Sequence, residues 1–242
     1  MGNFGFKNVA KRDKIDLMEY LCYGLGDFSF CFIYGAIGSY IVYFYTDVAC
    51  ISAAVVGTIL LFSKIFDGIS DMLMGFIIEN VHSPLGKARP WLLWMVIPYC
   101  IGCVLLFTVP NFSETGKIIY AFLSYNMMAT CILTSMNVPY GVLSSVMITK
   151  QNERALLSIS RASLGALGVF VISSYAPDLV EKFGGGPAGW QKTFLLVGVV
   201  SIVLFLITFY GCKERVGSGV MEQKPGKKSS LSLLPGVKIL FA

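Results

Sequence analysis

The sequence predicts an all-α polytopic membrane protein, and three observations carry that reading. Of the 242 residues, 55% are hydrophobic and only 14% charged, and the mean hydropathy is +0.71. A soluble domain carries charge on roughly a quarter of its residues. Apolar runs of about 20 residues recur along the chain, long enough to cross the hydrocarbon core of a bilayer. The basic residues, finally, are sorted by loop rather than gathered in one patch. A transmembrane barrel would instead alternate apolar and polar residues in strands of ~10 residues, a pattern missing here.

Residues 1–16 are polar and basic, with no apolar stretch leading to a small-residue cleavage site, so a cytoplasmic N-terminal segment is expected there. The first span is expected from about Leu17 to Tyr45. It carries Asp27 and the small residues Gly24, Gly26, Gly35 and Gly38, which favour close helix approach. The second is expected from about Ala53 to Ile78, followed by a basic loop containing Gly86, Lys87 and Arg89. Trp91 and Trp94 sit where interfacial aromatics belong, at the head of a third span reaching about Val109.

A polar turn over Asn111 to Gly116 leads to the fourth span, about Lys117 to Ile148, with Thr134, Asn137 and Pro139 inside it. A short polar loop from Thr149 to Arg154 precedes the fifth, about Ala155 to Tyr175, which contains Arg161. Residues Asp178 to Gln191, with three consecutive glycines and Pro187, are expected to form the longest external connection. The sixth span covers about Thr193 to Cys212. The six spans over 17–212 form one half-bundle. Residues 213–242 are expected to be a cytoplasmic linker, whose final apolar stretch reads as the start of a second half missing from a truncated or split chain; the alternative is a short interfacial anchor.

Counting Lys and Arg over short loops sets the orientation. Lys7, Lys11, Arg12, Lys14, Lys87, Arg89, Lys150 and Arg154 fall on one side together with the basic tail after Cys212, and only Lys117, Lys182 and Lys192 on the other. Both ends are therefore expected in the cytoplasm, with the protein integral to the cell membrane. The net charge of +5 follows from this topology, and no nucleic-acid partner is expected. The chain has seven cysteines and one histidine. Cys100 and Cys103 form a Cys-x-x-Cys inside an apolar run, where small buried thiols are expected rather than a metal or redox site. No nucleophile–base constellation suggests an enzyme.

The chemistry concentrates in the second span. Asp67 and Asp71 lie four residues apart, on one face of a helix, and Lys64 projects from nearly the same side. Charge at the bilayer centre costs at least ~2.5 kcal/mol per group. Three such groups kept together are expected to serve an ion, with a structural Lys64–carboxylate pair as the alternative.

The order of features resembles the N-terminal half of a major facilitator superfamily transporter, built as a 3+3 inverted repeat, and specifically the glycoside–pentoside–hexuronide:cation symporter family. The motifs are Tyr23-Gly-Leu-Gly-Asp27, Tyr43-Phe-Tyr-Thr-Asp47, Asp67-x-x-x-Asp71-x-x-Met74-Gly75, Gly86-Lys87-x-Arg89-Pro90-Trp91, Asn137-Val-Pro139-Tyr140 and Lys213-Glu214-Arg215. The resemblance implies a coupling-cation site at Asp67, Asp71 and Thr134, with Ser70 where relatives often place Asn. Either Na⁺ or H⁺ fits, and no other cofactor is implied.

It further implies a solute site, for a sugar or glycoside, near Asn137 and Arg161, with Cys31 at the position of a first-helix acid in melibiose-type members and Gly141 at that of a tryptophan. Asp27, without a basic neighbour in its own helix, is expected to pair across the bundle with Arg161 or Lys64. For Arg161 the alternative is snorkelling to the cytoplasmic surface; for Asn137 it is an interhelical contact. Lys87 and Arg89 match a gating loop. The function implied is cation-coupled symport by alternating access, with a second half or second copy completing the cavity. Transport of lipid-like solutes on the same fold, or a non-transporting fragment, are the alternatives.

Overall fold

The computed structural model describes residues 16–80, 88–148 and 150–212, and every regular element among them is helical. In chain order these are α1 (Leu17–Tyr43), α2 (Ala53–Asn80), α3 (Arg89–Leu106), α4 (Glu114–Asn126), α5 (Thr134–Met147), α6 (Gln151–Lys182) and α7 (Gly186–Gly211). A π-helical turn, Phe44–Val48, extends α1, and a second, Met127–Leu133, joins α4 to α5 in one continuous rod. Six membrane-length spans result: Leu17–Val48, Ala53–Ile78, Arg89–Leu106, Glu114–Met147, Gln151–Lys182 and Gly186–Gly211. Backbone groups in hydrocarbon must be satisfied within the segment, which is why apolar runs of this length become helices.

Local signals place the ends. Ser113 caps α4 by accepting from the Gly116 amide at 3.4 Å, with Glu114 in the first turn. Pro90 and Pro187 stand in the first turns of α3 and α7, where a missing N–H costs nothing.

The fifth span is longer than its hydropathy suggests. α6 runs on to Lys182, so the long external connection expected over 178–191 is absent. Gly184, Gly185 and Gly186 all take positive φ, of 102°, 65° and 55°, a region open to residues without a Cβ. Gly185 donates to the Val180 carbonyl at 2.9 Å and Gly184 to that of Glu181 at 3.0 Å, closing the helix in the manner of a C-terminal glycine cap. Pro187 then starts α7 almost immediately.

α1 is the central element, packing along α6 on one side and α7 on another; α3 bridges α7 to the α4–α5 rod, and α2 lies outside against that rod. Since lipid tails are as apolar as Leu, tight packing and interhelical hydrogen bonds hold the bundle rather than burial alone. Tyr99 donates to the Ser29 carbonyl at 2.9 Å and Thr208 to that of Cys22 at 2.8 Å. At one end Phe44, Phe107, Trp190 and Phe194 form an aromatic cluster. At the other, Tyr23 stacks on Tyr140 with centroids 4.7 Å apart, among Leu92, Leu143 and Leu157. Cys103 is fully buried and Cys100 packs against Gly198; both are free thiols.

The starts of α1, α3 and α6 and the ends of α5 and α7 gather at the second end. Tyr20 donates to Glu153, and Arg154 Nη2 donates to the Ile148 carbonyl at 3.3 Å. Arg89, Lys150 and Arg154 all belong to this end, as the loop-charge pattern requires.

Candidate functional site

α2 is the least enclosed span, with 17% of its most apolar stretch buried against 44% for the first. Its charged face is therefore open on one side and backed by the α4–α5 rod on the other. Lys64 and Asp67 meet at 3.3 Å, the lysine side chain 72% exposed and the aspartate 32%. Asp71, one turn on, points elsewhere: the buried Thr134 hydroxyl donates to its Oδ1 at 3.0 Å. The two acids thus share a helix face but have separate partners. Lys64 engages only one of them.

Ser70, between them, turns its hydroxyl across to α5's lead-in and donates to the Thr130 carbonyl at 2.7 Å. Thr130 lies inside the π-helical turn that delivers Thr134. Wide turns of this kind frequently occur at functional sites. Nothing in the sequence announced this one.

A second cluster lies across the bundle. Asp27 is buried on α1, and Arg161 of α6 donates from Nε to its Oδ1 at 2.8 Å. Arg161 Nη2 also donates to the Asn137 side-chain oxygen at 2.7 Å. The guanidinium lies 5.0 Å from the centre of the Tyr140 ring, and Cys31 Sγ donates to Asp27 Oδ2 at 3.7 Å. Arg161 is held inward by these partners and does not snorkel, and Asp27 pairs with it rather than with Lys64. The close approach depends on Gly165: a Cβ there would collide with Asp27 Oδ2 and sit 3.1 Å from Cys31 Sγ. Sequence spacing alone singled out neither this glycine nor the Tyr23–Tyr140 stack beneath the guanidinium.

The two clusters are connected by one helix. Thr134 and Asn137 stand three residues apart on α5, hence on one face, the first bonded to the carboxylate of α2 and the second to the arginine of α6. The first cluster offers only oxygen donors besides Lys64, a set suited to a hard cation or a proton. The second offers hydrogen-bond donors and acceptors arranged around an ion pair.

Of the gating-loop residues, Lys87 lies outside the described residues. Arg89 opens α3, where its Nη2 donates to the Phe209 carbonyl at 2.8 Å and its guanidinium covers the Phe209 ring at 4.5 Å. It ties α3 to the C-terminal turn of α7, a favourable place for a cation.

Comparison with known proteins identifies the architecture. The model of a family described as MFS/sugar transport protein matches residues 22–242. This chain belongs to the MFS/sugar transport family. Among its curated relatives, an isoprimeverose transporter of Lactiplantibacillus pentosus is 34% identical over 242 residues, covering 97% of this chain and 50% of the relative. An inner membrane symporter of Escherichia coli is 34% identical over 208 residues, 85% of this chain and 45% of the relative. A glucuronide carrier protein homolog, also of Escherichia coli, is 30% identical over 226 residues, 90% of this chain and 48% of the relative. The chain spans about half the length of these MFS relatives, and the match falls on their N-terminal half. The resemblance read from the motifs is borne out, as is the six-span, all-α membrane architecture.

Proposed function

We propose that this chain is the cation-site half of a symporter that moves a sugar or glycoside together with Na⁺ or H⁺ by alternating access. The reading is carried by the placement of Thr134 and Asn137 one turn apart on α5, each bonded to a different charged cluster. A cation bound between Asp71 and Asp67 draws on Thr134, and a solute bound at Asn137 and Arg161 draws on the same helix. Each ligand then orders part of the other's site, and the coupling is reciprocal.

Charge balance favours the same reading. Asp27, Asp67 and Asp71 face Lys64 and Arg161 in the two clusters, leaving one net negative charge. A single Na⁺ or proton cancels it. A neutral site is closed off from water on both sides at far lower cost than a charged one, so one monovalent cation per cycle is the expected stoichiometry.

In this proposal Asp67 and Asp71 ligate the cation, with Thr134 orienting Asp71 and Ser70 setting the α2–α5 separation. Asp27, Cys31, Asn137 and Arg161 form the hydroxyl-binding side of the solute site. A second six-helix half, from the same polypeptide or another, supplies the opposing wall of the central cavity. The protein sits in the cell membrane with the Arg89–Arg154 end in the cytoplasm, by the excess of positive charge there. Lys87 and Arg89 act at that end as the gate between halves.

The test is uptake by cells carrying the chain with its second half, with isoprimeverose and methyl glucuronide as probes and Na⁺ and pH varied. Cation-stimulated uptake that disappears in Asp71→Asn supports the proposal. Uptake with unchanged ion dependence in both Asp67→Asn and Asp71→Asn would refute it.

A further inference from the structure

We propose that Asp27, by neutralising Arg161 from within, makes the site take uncharged glycosides and reject anionic sugars such as uronates, an inference that rests on the solute site proposed above. A free guanidinium is a ready anchor for a carboxylate, matching it in charge and in the spacing of its donors. This one is already paired. Its Nε donates to Asp27 Oδ1 at 2.8 Å, and its Nη2 donates to the Asn137 side-chain oxygen at 2.7 Å.

The pair is built into the packing of α1 on α6. Asp27 is 7% exposed. Its second oxygen accepts from the Cys31 thiol at 3.7 Å and lies so close to Gly165 that a Cβ there would collide with it. The guanidinium is held on its other side by Asn137 and lies 5.0 Å from the centre of the Tyr140 ring. An incoming carboxylate would have to evict a buried one or share its arginine. Sharing sets two anions against one cation, and like charges brought together in a site of low dielectric repel strongly.

No second base stands beside the pair. Among the described residues, the basic side chains away from the two rims of the bundle are Arg161 and Lys64, and Lys64 meets Asp67 on α2 at 3.3 Å. With one monovalent cation bound, the two clusters are neutral. An uncharged solute preserves that balance when the site closes; an anion adds a charge that nothing cancels. The groups left for a solute suit hydroxyls. The Asn137 oxygen is taken by Arg161, so its amide N–H groups remain to donate. Arg161 Nη1 is the one atom that a Cβ built at Gly141 would meet, at 4.0 Å, so the space beside it is open. Sugar hydroxyl oxygens accept from both groups and bring no charge.

The experiment measures uptake by the protein with its second half, at saturating cation, of isoprimeverose, methyl glucoside and methyl glucuronide. The last two differ in a hydroxymethyl group against a carboxylate. The expected result is a KM for methyl glucuronide about tenfold or more above that of whichever neutral sugar is taken up. In Asp27→Asn, which leaves the charge of Arg161 free, that ratio is expected to fall about tenfold or more. Gly165→Ala, which pushes the same carboxylate aside, gives a second reading of the ratio where Asp27→Asn does not reach the membrane. Methyl glucuronide taken up as well as the neutral sugars by the unsubstituted protein would overturn the inference, and if that uptake is cation-dependent the proposed function stands without it. An unchanged ratio in Asp27→Asn would also overturn it, by placing the selectivity elsewhere. If the unsubstituted protein takes up none of the three, the proposed function fails along with this inference.

Discussion

Thr134 donates a hydrogen bond to Asp71 across 3.0 Å, joining the α4–α5 rod to the outermost helix of the bundle. The hydroxyl is buried while the carboxylate opens toward the exposed side of α2. One oxygen of Asp71 is thereby fixed in direction before any ion arrives. A hydrogen bond to a charged group is worth about 1.5–3 kcal/mol. Thr134→Ala is accordingly expected to raise the cation concentration giving half-maximal uptake by about tenfold or more. Thr134→Ser, which keeps the hydroxyl, is expected to stay within a few-fold of the original by order-of-magnitude reasoning on the same bond.

In the proposed cation site, Lys64 would compete with the cation for Asp67. The lysine of that pair is exposed and the aspartate half-buried, and pairs open to water contribute about 0–1 kcal/mol to stability. Lys64→Ala should leave the melting temperature of the purified protein nearly unchanged. Removing a like charge beside the site should lower the half-activating cation concentration, by roughly several-fold. A large loss of stability would show instead that the pair is a structural strut.

Gly165 makes room for the Asp27 carboxylate to reach Arg161. Gly165→Ala is expected to force Asp27 away and to break a buried ion pair, at a cost of about 3 kcal/mol. Asp27→Asn attacks the same pair, so the two substitutions should be non-additive in a double-mutant cycle read by thermal unfolding. Additive losses would mean that Gly165 acts through helix packing alone.

Ser70 bonds a backbone carbonyl rather than either neighbouring acid. Ser70→Ala is expected to cost about 0.6 kcal/mol, the average for an interhelical hydrogen bond in a membrane bundle. The Na⁺ and pH dependence of uptake should not change. A shift in ion preference would place the Ser70 oxygen among the cation ligands.

The fold was legible because lipid-facing helices must be apolar over a fixed length, and the second span was placed at Ala53–Ile78 from composition alone. The acid pair was legible because charge in that setting stands out. The fifth span was read short because Asp178, Glu181 and Lys182 look like loop residues, although they occupy the helix's last turns at the bundle rim. The partner of Asp27 lies more than a hundred residues away on α6, a separation on which helical periodicity is silent. The π-helical turn before Thr134 left no trace either, because its residues, Met127–Leu133, are ordinary helix formers.

The most direct measurement is the solute affinity of the protein with its second half, titrated against Na⁺ and against pH, with Asp71→Asn alongside. Affinity that rises with one of the two cations and saturates, and that goes flat in Asp71→Asn, is the predicted result. Solute affinity that is already flat in the unsubstituted protein would contradict the account.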